Sequence, residues 1–314
     1  MNDATSPSAR ATLDRLLTRR FLIVTGKGGT GKTSIAAALV RLASKAGKRV
    51  VACEVGRDDA SPSPLLGLIA PGRAASREPQ ALDDRVSHVV LRGDDGVRDF
   101  LRDAMPFKFM ADRALKVDAV RSFLEAAPAF GEMGVLYRGM QLLRATRRGG
   151  APLYDLMVLD APASGHTLAF ASLPDTVLKV FTVGPIATAA RAGVELIRDP
   201  KTTSAVIATL PEALPVSEAT ELWAGLRDRR LDVGAIVANQ VPHDPFTREE
   251  RAALEAKLPH EVLGRRALVR IERAADALAR LRELGSPLLR VAELDARGAE
   301  LAAAIERGLD TEAA

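Results

Sequence analysis

Cysteine is almost missing from this sequence. Cys53 is the only one in 314 residues, so no disulfide can close within one chain, and a cysteine-built zinc or arsenic site inside one chain is excluded. Long apolar runs are missing too. Nothing approaches the ~18 residues that a membrane span needs, and the opening MNDATSPSAR offers no apolar stretch to act as a secretory signal. Both absences make the cytoplasm the expected compartment, with no stable membrane insertion. A basic block is also lacking: 44 Lys and Arg stand against 40 Asp and Glu, the net charge is +4, and the arginines are scattered. Nucleic acid is therefore not expected as a partner. There is no internal repeat and no low-complexity linker. What is present is globular in composition, with 47% hydrophobic and 27% charged residues.

Short apolar, β-branched runs predict strands at Phe21–Thr25, Arg49–Val55, Ser87–Leu91, Leu156–Leu159, Val177–Val183, Ser204–Thr209 and Val233–Ala238. Helices are expected at Ala11–Arg19, Ser34–Ala46, Ile186–Arg198 and Ser217–Arg230, and through most of Phe246–Arg307, which an extended piece at Pro287–Val291 interrupts. Phe100–Arg148 reads as helical, while Asp58–Arg85 is polar and rich in Pro and Gly. The alternation of strand and helix implies an α/β fold with a mainly parallel central sheet flanked by helices. One domain over 21–310 is expected, after a lead-in of residues 1–20, with a helical insertion at about 95–150.

Directly after the first strand comes Gly26-Lys27-Gly28-Gly29-Thr30-Gly31-Lys32-Thr33, a full match to G-x-x-x-x-G-K-[ST]. Glycines let successive backbone N–H groups turn inward as a nest for phosphate oxygens. The helix starting near Lys32 and Ser34 adds unsatisfied N–H groups and a positive dipole end. Lys32 is placed to reach the β- and γ-phosphates, and Thr33 to ligate Mg²⁺. ATP or ADP with Mg²⁺ is the expected cofactor, and a P-loop NTPase is the expected fold. Asp160 ends the strand Leu156–Leu159 at the edge that faces the loop in a parallel sheet, which makes it the second Mg²⁺ candidate.

Lys27, a second lysine after the first glycine, gives KGGTGKT a close resemblance to the deviant Walker A ATPases. Asp160-Ala161-Pro162-Ala163-Ser164-Gly165-His166-Thr167-Leu168 resembles the second switch of the arsenite-pump and tail-anchored-protein-targeting ATPases within that group. Thr209-Leu210-Pro211-Glu212 with Pro215-Val216-Ser217-Glu218, and Ile236-Val237-Ala238-Asn239-Gln240, are similar to later segments of the same family. The resemblance covers most of residues 20–310. It implies an ATPase that closes as a dimer around nucleotide, with Lys27 delivered across the interface to the partner's phosphates. It further implies an adenine contact at Asn239 and a segment beside adenine at Pro287. The partner is another copy or a paralogous ATPase, and a client protein could bind the helical insertion, where Met105, Met110, Met133 and Met140 cluster with Phe107, Phe109, Phe123, Phe130 and Tyr137. That cluster equally suits the insertion's own core.

The sequence also departs from the family. Gly56-Arg57 stand where the first switch carries the aspartate that positions the attacking water, leaving Glu54, Asp58 or Asp59 for that part. The family's zinc- and arsenite-binding cysteines are absent. Two alternatives therefore stand beside a nucleotide-switched ATPase: a weakly hydrolysing regulatory subunit, and a positioning protein of the partition type. Glu293, Asp295, Glu300 and Glu306 argue against the second by repelling anionic lipid or DNA.

Overall fold

The computed structural model describes residues 8–56, 63–104, 128–162, 164–257 and 263–311. Asp58, Asp59, Met105, Phe107, Phe109, Met110 and Phe123 lie outside the described residues.

Among the described residues eight strands form one sheet: β1 (Phe21–Gly26), β2 (Val50–Val55), β3 (Gln80–Ala81), β4 (Val86–Leu91), β5 (Leu156–Asp160), β6 (Thr203–Thr209), β7 (Val233–Val241) and β8 (Leu288–Ala292). Their order is β3-β4-β2-β5-β1-β6-β7-β8, and every pairing is parallel except β3 with β4. A parallel sheet is covered on both faces, so its strands are apolar on both. FLIVTG of β1 is buried throughout, between β5 and β6. Phe21 and Ile23 face one core and Leu22 and Val24 the other.

Against the second core lie α1 (Ala9–Leu17), α2 (Lys32–Lys45) and α3 (Pro64–Ile69). The other face carries α5 (Pro128–Arg144), α6 (Ser164–Val180), α7 (Gly184–Arg198), α8 (Ala213–Asp228) and α10 (Leu263–Arg282). Three more helices are α4 (Gly93–Ala104), α9 (Arg248–Lys257) and α11 (Gly298–Thr311). The last returns to α2, where the buried Glu306 pairs with Arg41 at 2.5 Å and with Lys45.

The mainly parallel sheet is as expected, and two local readings are corrected. Val177–Val183 is no strand: Val177–Val180 close α6, and Phe181 and Val183 are exposed before α7. The β-branched run misled there, because tertiary packing overrode local preference. Glu306 is also no surface charge, and Glu293 is paired with Arg270 at 2.8 Å, so the charge argument against a positioning protein loses two of its four residues.

The insertion's described half is a pair of helices, α4 and α5, in close approach. A Cβ at Gly93 would stand 2.5 Å from the Gly131 Cα. The rings of Phe100 and Tyr137 meet edge-on at 5.3 Å. Met133 and Met140 line a hollow of only about 70 Å³ against α7. In this half the methionines fill the insertion's own core.

Candidate active site

Parallel strands bring their carboxyl ends to one edge, and the glycine loop leaves β1 there. Gly26, Gly29 and Gly31 have φ of +146°, +85° and +86°, which side-chain-bearing residues rarely adopt. Gly31 caps α2 from the left-handed region. Around Gly28 and Gly29 no atom beyond their chain neighbours lies within 4 Å of where a Cβ would be, so nothing packs against the loop there. The Lys27 carbonyl ties the loop to itself, accepting from the Thr30 hydroxyl at 2.9 Å and from Lys32 Nζ at 3.0 Å. Burial lowers the pKa of Lys32, with the Asp160 carboxylate opposing the shift.

Register puts Asp160 beside Val24 on one side and Glu54 on the other. Thr33 Oγ1 donates to Asp160 Oδ2 at 2.6 Å, whereas Asp160 Oδ1 is buried with no partner among the described residues. Burial raises the Asp160 pKa to about 6; the Thr33 hydrogen bond and Lys32 lower it, and Glu54 adds to the rise. An orphaned carboxylate oxygen beside a threonine hydroxyl fits a hard divalent cation, and an open nest of amides fits phosphate.

Asn239 ends the buried part of β7, and its Nδ2 donates to the Thr30 carbonyl at 3.1 Å, bracing the loop from a neighbouring strand. Lys27 reaches the other way, and its Nζ pairs with Glu218 of α8 at 2.7 Å. Glu54 is 6% exposed and fully engaged: the Ser63 hydroxyl and His88 Nε2 (2.8 Å) meet one oxygen, and Leu65 N–H donates to the other at 3.2 Å. At Gly56 a Cβ would stand 2.4 Å from Val90 Cγ1, so an aspartate at that position requires the Val90 side chain to shift. Thr25 and Thr167 share a buried hydroxyl contact of 2.8 Å that pins the start of α6 to β1.

The structure thus gathers Lys27, Gly28, Gly29, Thr30, Gly31, Lys32, Thr33, Ser34, Glu54, Asp160 and Asn239 at one edge. Pro287 is the exception. It precedes β8, its carbonyl accepts from Ile236 N–H at 2.8 Å, and it lines a hollow with Arg15 and Arg227 at the amino ends of the strands. Three residues of extended chain, roughly 10 Å, separate that level from Asn239. The extended reading of the segment holds, and its placement beside adenine does not. Glu218, His88 and the Thr25–Thr167 pair went unassigned because each depends on a partner far away in sequence.

Residues 21–284 match the profile of the CobQ/CobB/MinD/ParA nucleotide binding domain. The chain is 29% identical over 234 residues to ATPase BagA of Mycobacterium tuberculosis (strain ATCC 25618 / H37Rv), with 72% of this chain and 66% of the relative covered. It is 25% identical over 268 residues to ATPase GET3C of Arabidopsis thaliana, covering 71% of this chain and 67% of that one. Identity to ATPase ARSA1 of Chlamydomonas reinhardtii is 24% over 277 residues, covering 71% and 35%. The match therefore spans just under two thirds of the mycobacterial relative's own length.

Proposed function

This chain belongs to the CobQ/CobB/MinD/ParA nucleotide-binding family, and we propose that it is an ATP hydrolase of the ArsA-like group: Mg²⁺-dependent, cytoplasmic, one P-loop domain with a helical insertion, acting as a nucleotide-bridged dimer. The observation carrying this reading is the open glycine nest beside the Thr33–Asp160 pair with its unpartnered oxygen. Among the described residues no helix is long and apolar enough to cross a membrane.

In the proposed mechanism the amides of residues 28–34 grip the phosphates and Lys32 leaves the Lys27 carbonyl for the β- and γ-phosphates. Thr33 and Asp160 would hold Mg²⁺. The bound ion supplies neutralisation of the charge that develops on the phosphoryl group. Lys27, released from Glu218, serves the nucleotide of the opposing copy, and Asn239 is the candidate adenine contact. Glu54 is the remaining described carboxylate for orienting water, and it would have to let go of Ser63 or Leu65 to do so. That commitment of Glu54, with the crowded Gly56, favours a second reading in which the chain turns over slowly and serves a more active paralogue.

Calorimetric titration tests the reading. Lys32→Ala should weaken Mg·ATP binding by about a hundredfold or more, the loss of roughly 2.7 kcal/mol of charge-assisted contact. Near-normal affinity in that variant would overturn the loop assignment. Phosphate release measured alone and with a paralogous subunit separates the two readings.

A further inference from the structure

A groove of about 920 Å³ runs between α10 and the segment Leu210–Pro215, beside the carboxyl ends of β6 and β7. Five arginines, all on α10 from Arg265 to Arg280, line it against two carboxylates, Glu212 and Asp276. At 1.5 Å per residue the arginine row is roughly 22 Å long. Arg270 is paired with Glu293 at 2.8 Å, and Arg280 donates to Ser217 Oγ at 3.2 Å. Arg266 and Arg273, two turns apart and both exposed, have no hydrogen-bond or ion-pair partner among the described residues. Leu214, 70% exposed at the first turn of α8, forms an apolar spot on the same wall.

We propose that this groove docks an acidic peptide segment of a partner protein, with carboxylates on Arg266 and Arg273 and an apolar side chain against Leu214. Guanidinium forks match carboxylates in geometry as well as charge. A row of this length exceeds what one small anion can span. Nucleic acid is disfavoured because, among the described residues, no aromatic ring lines the groove to stack a base.

The walls of the groove are the elements that hold the glycine loop. Ser217, which takes Arg280, precedes Glu218, which grips Lys27. Gln240, in the lining, has φ +57° and follows Asn239, which braces Thr30. A non-glycine residue in that backbone region is uncommon and marks stored strain. A docked segment therefore acts on both supports of the loop. This coupling rests on the proposed ATPase reading; docking itself does not.

The test uses the full chain without nucleotide and follows the anisotropy of a fluorescein-labelled peptide rich in Glu and Leu. The peptide should bind, and the double variant Arg266→Glu/Arg273→Glu should weaken it at least tenfold. The charge-matched control Arg148→Glu/Lys201→Glu, at exposed positions away from the groove, should stay within twofold. Equal losses in both variants would overturn the proposal, as would absence of binding. So would tighter, groove-dependent binding of a single-stranded oligonucleotide or of anionic phosphatidylserine vesicles. Peptide binding that depends on Arg266 and Arg273 in a protein that does not bind Mg·ATP would uphold docking and sink the ATPase reading.

Discussion

One oxygen of the Asp160 carboxylate is buried with no partner among the described residues, and burial lifts the pKa from 3.8 to about 6. The folded state therefore holds this proton more tightly than the unfolded chain. The resulting stability is fully present below pH 3.8 and is lost as pH rises through about 6. A shift of roughly two units corresponds to about 3 kcal/mol between the limits. The protein thus keeps an ionised, half-satisfied carboxylate at neutral pH at a cost to its fold, the trade expected of a functional site. Asp160→Asn removes the charge and leaves an oxygen for Thr33. In scanning calorimetry it should raise Tm by roughly 5 °C at pH 8 and by little at pH 4. A gain that does not change with pH would count against burial as the origin of the shift. The same variant should lose Mg²⁺-dependence of nucleotide binding.

At the scale of elements, α4 and α5 pack through glycine, and a Cβ at Gly96 or Gly134 would overlap the facing backbone. Gly96→Val should push the helices apart at a cost of about 1–3 kcal/mol. Amide exchange in Pro128–Arg144 should then quicken by roughly ten- to a hundredfold. Mg·ATP affinity should stay within about threefold, because the glycine loop stands on β1 and α2. If affinity falls with exchange protection, the insertion is part of the nucleotide site. The sheet that carries this site was legible in the sequence, since buried parallel strands are short apolar runs such as LMVLD and FLIVTG. The loop was legible for a similar reason, as its chemistry is contiguous. Contacts between elements were not. Glu218 meets Lys27 across 191 residues and Asn239 meets Thr30 across 209, with nothing local announcing either partner. Pro287 was misplaced because its strand was read correctly while its end of the sheet could not be.

For the whole molecule, Lys27 is the residue that cannot act alone in the proposed mechanism. In the single chain its ammonium is paired with Glu218, half-exposed, an ion pair worth at most about 1 kcal/mol. A nucleotide-bridged dimer must break that pair in both copies, so the two pairs together oppose closure by up to about 2 kcal/mol. Glu218→Gln should therefore tighten dimerisation in the presence of an ATP transition-state mimic by up to roughly thirtyfold, read by sedimentation velocity. Thermal stability of the lone chain should barely move, since surface pairs contribute little. Lys27→Ala should bind nucleotide normally and fail to dimerise. If Glu218→Gln instead weakens the dimer while Lys27→Ala also abolishes it, Glu218 holds the lysine of the opposing copy, and the contact within one chain is its resting substitute. Unchanged sedimentation with nucleotide in every variant would leave Lys27 a local charge and the protein a switch that works without a second subunit.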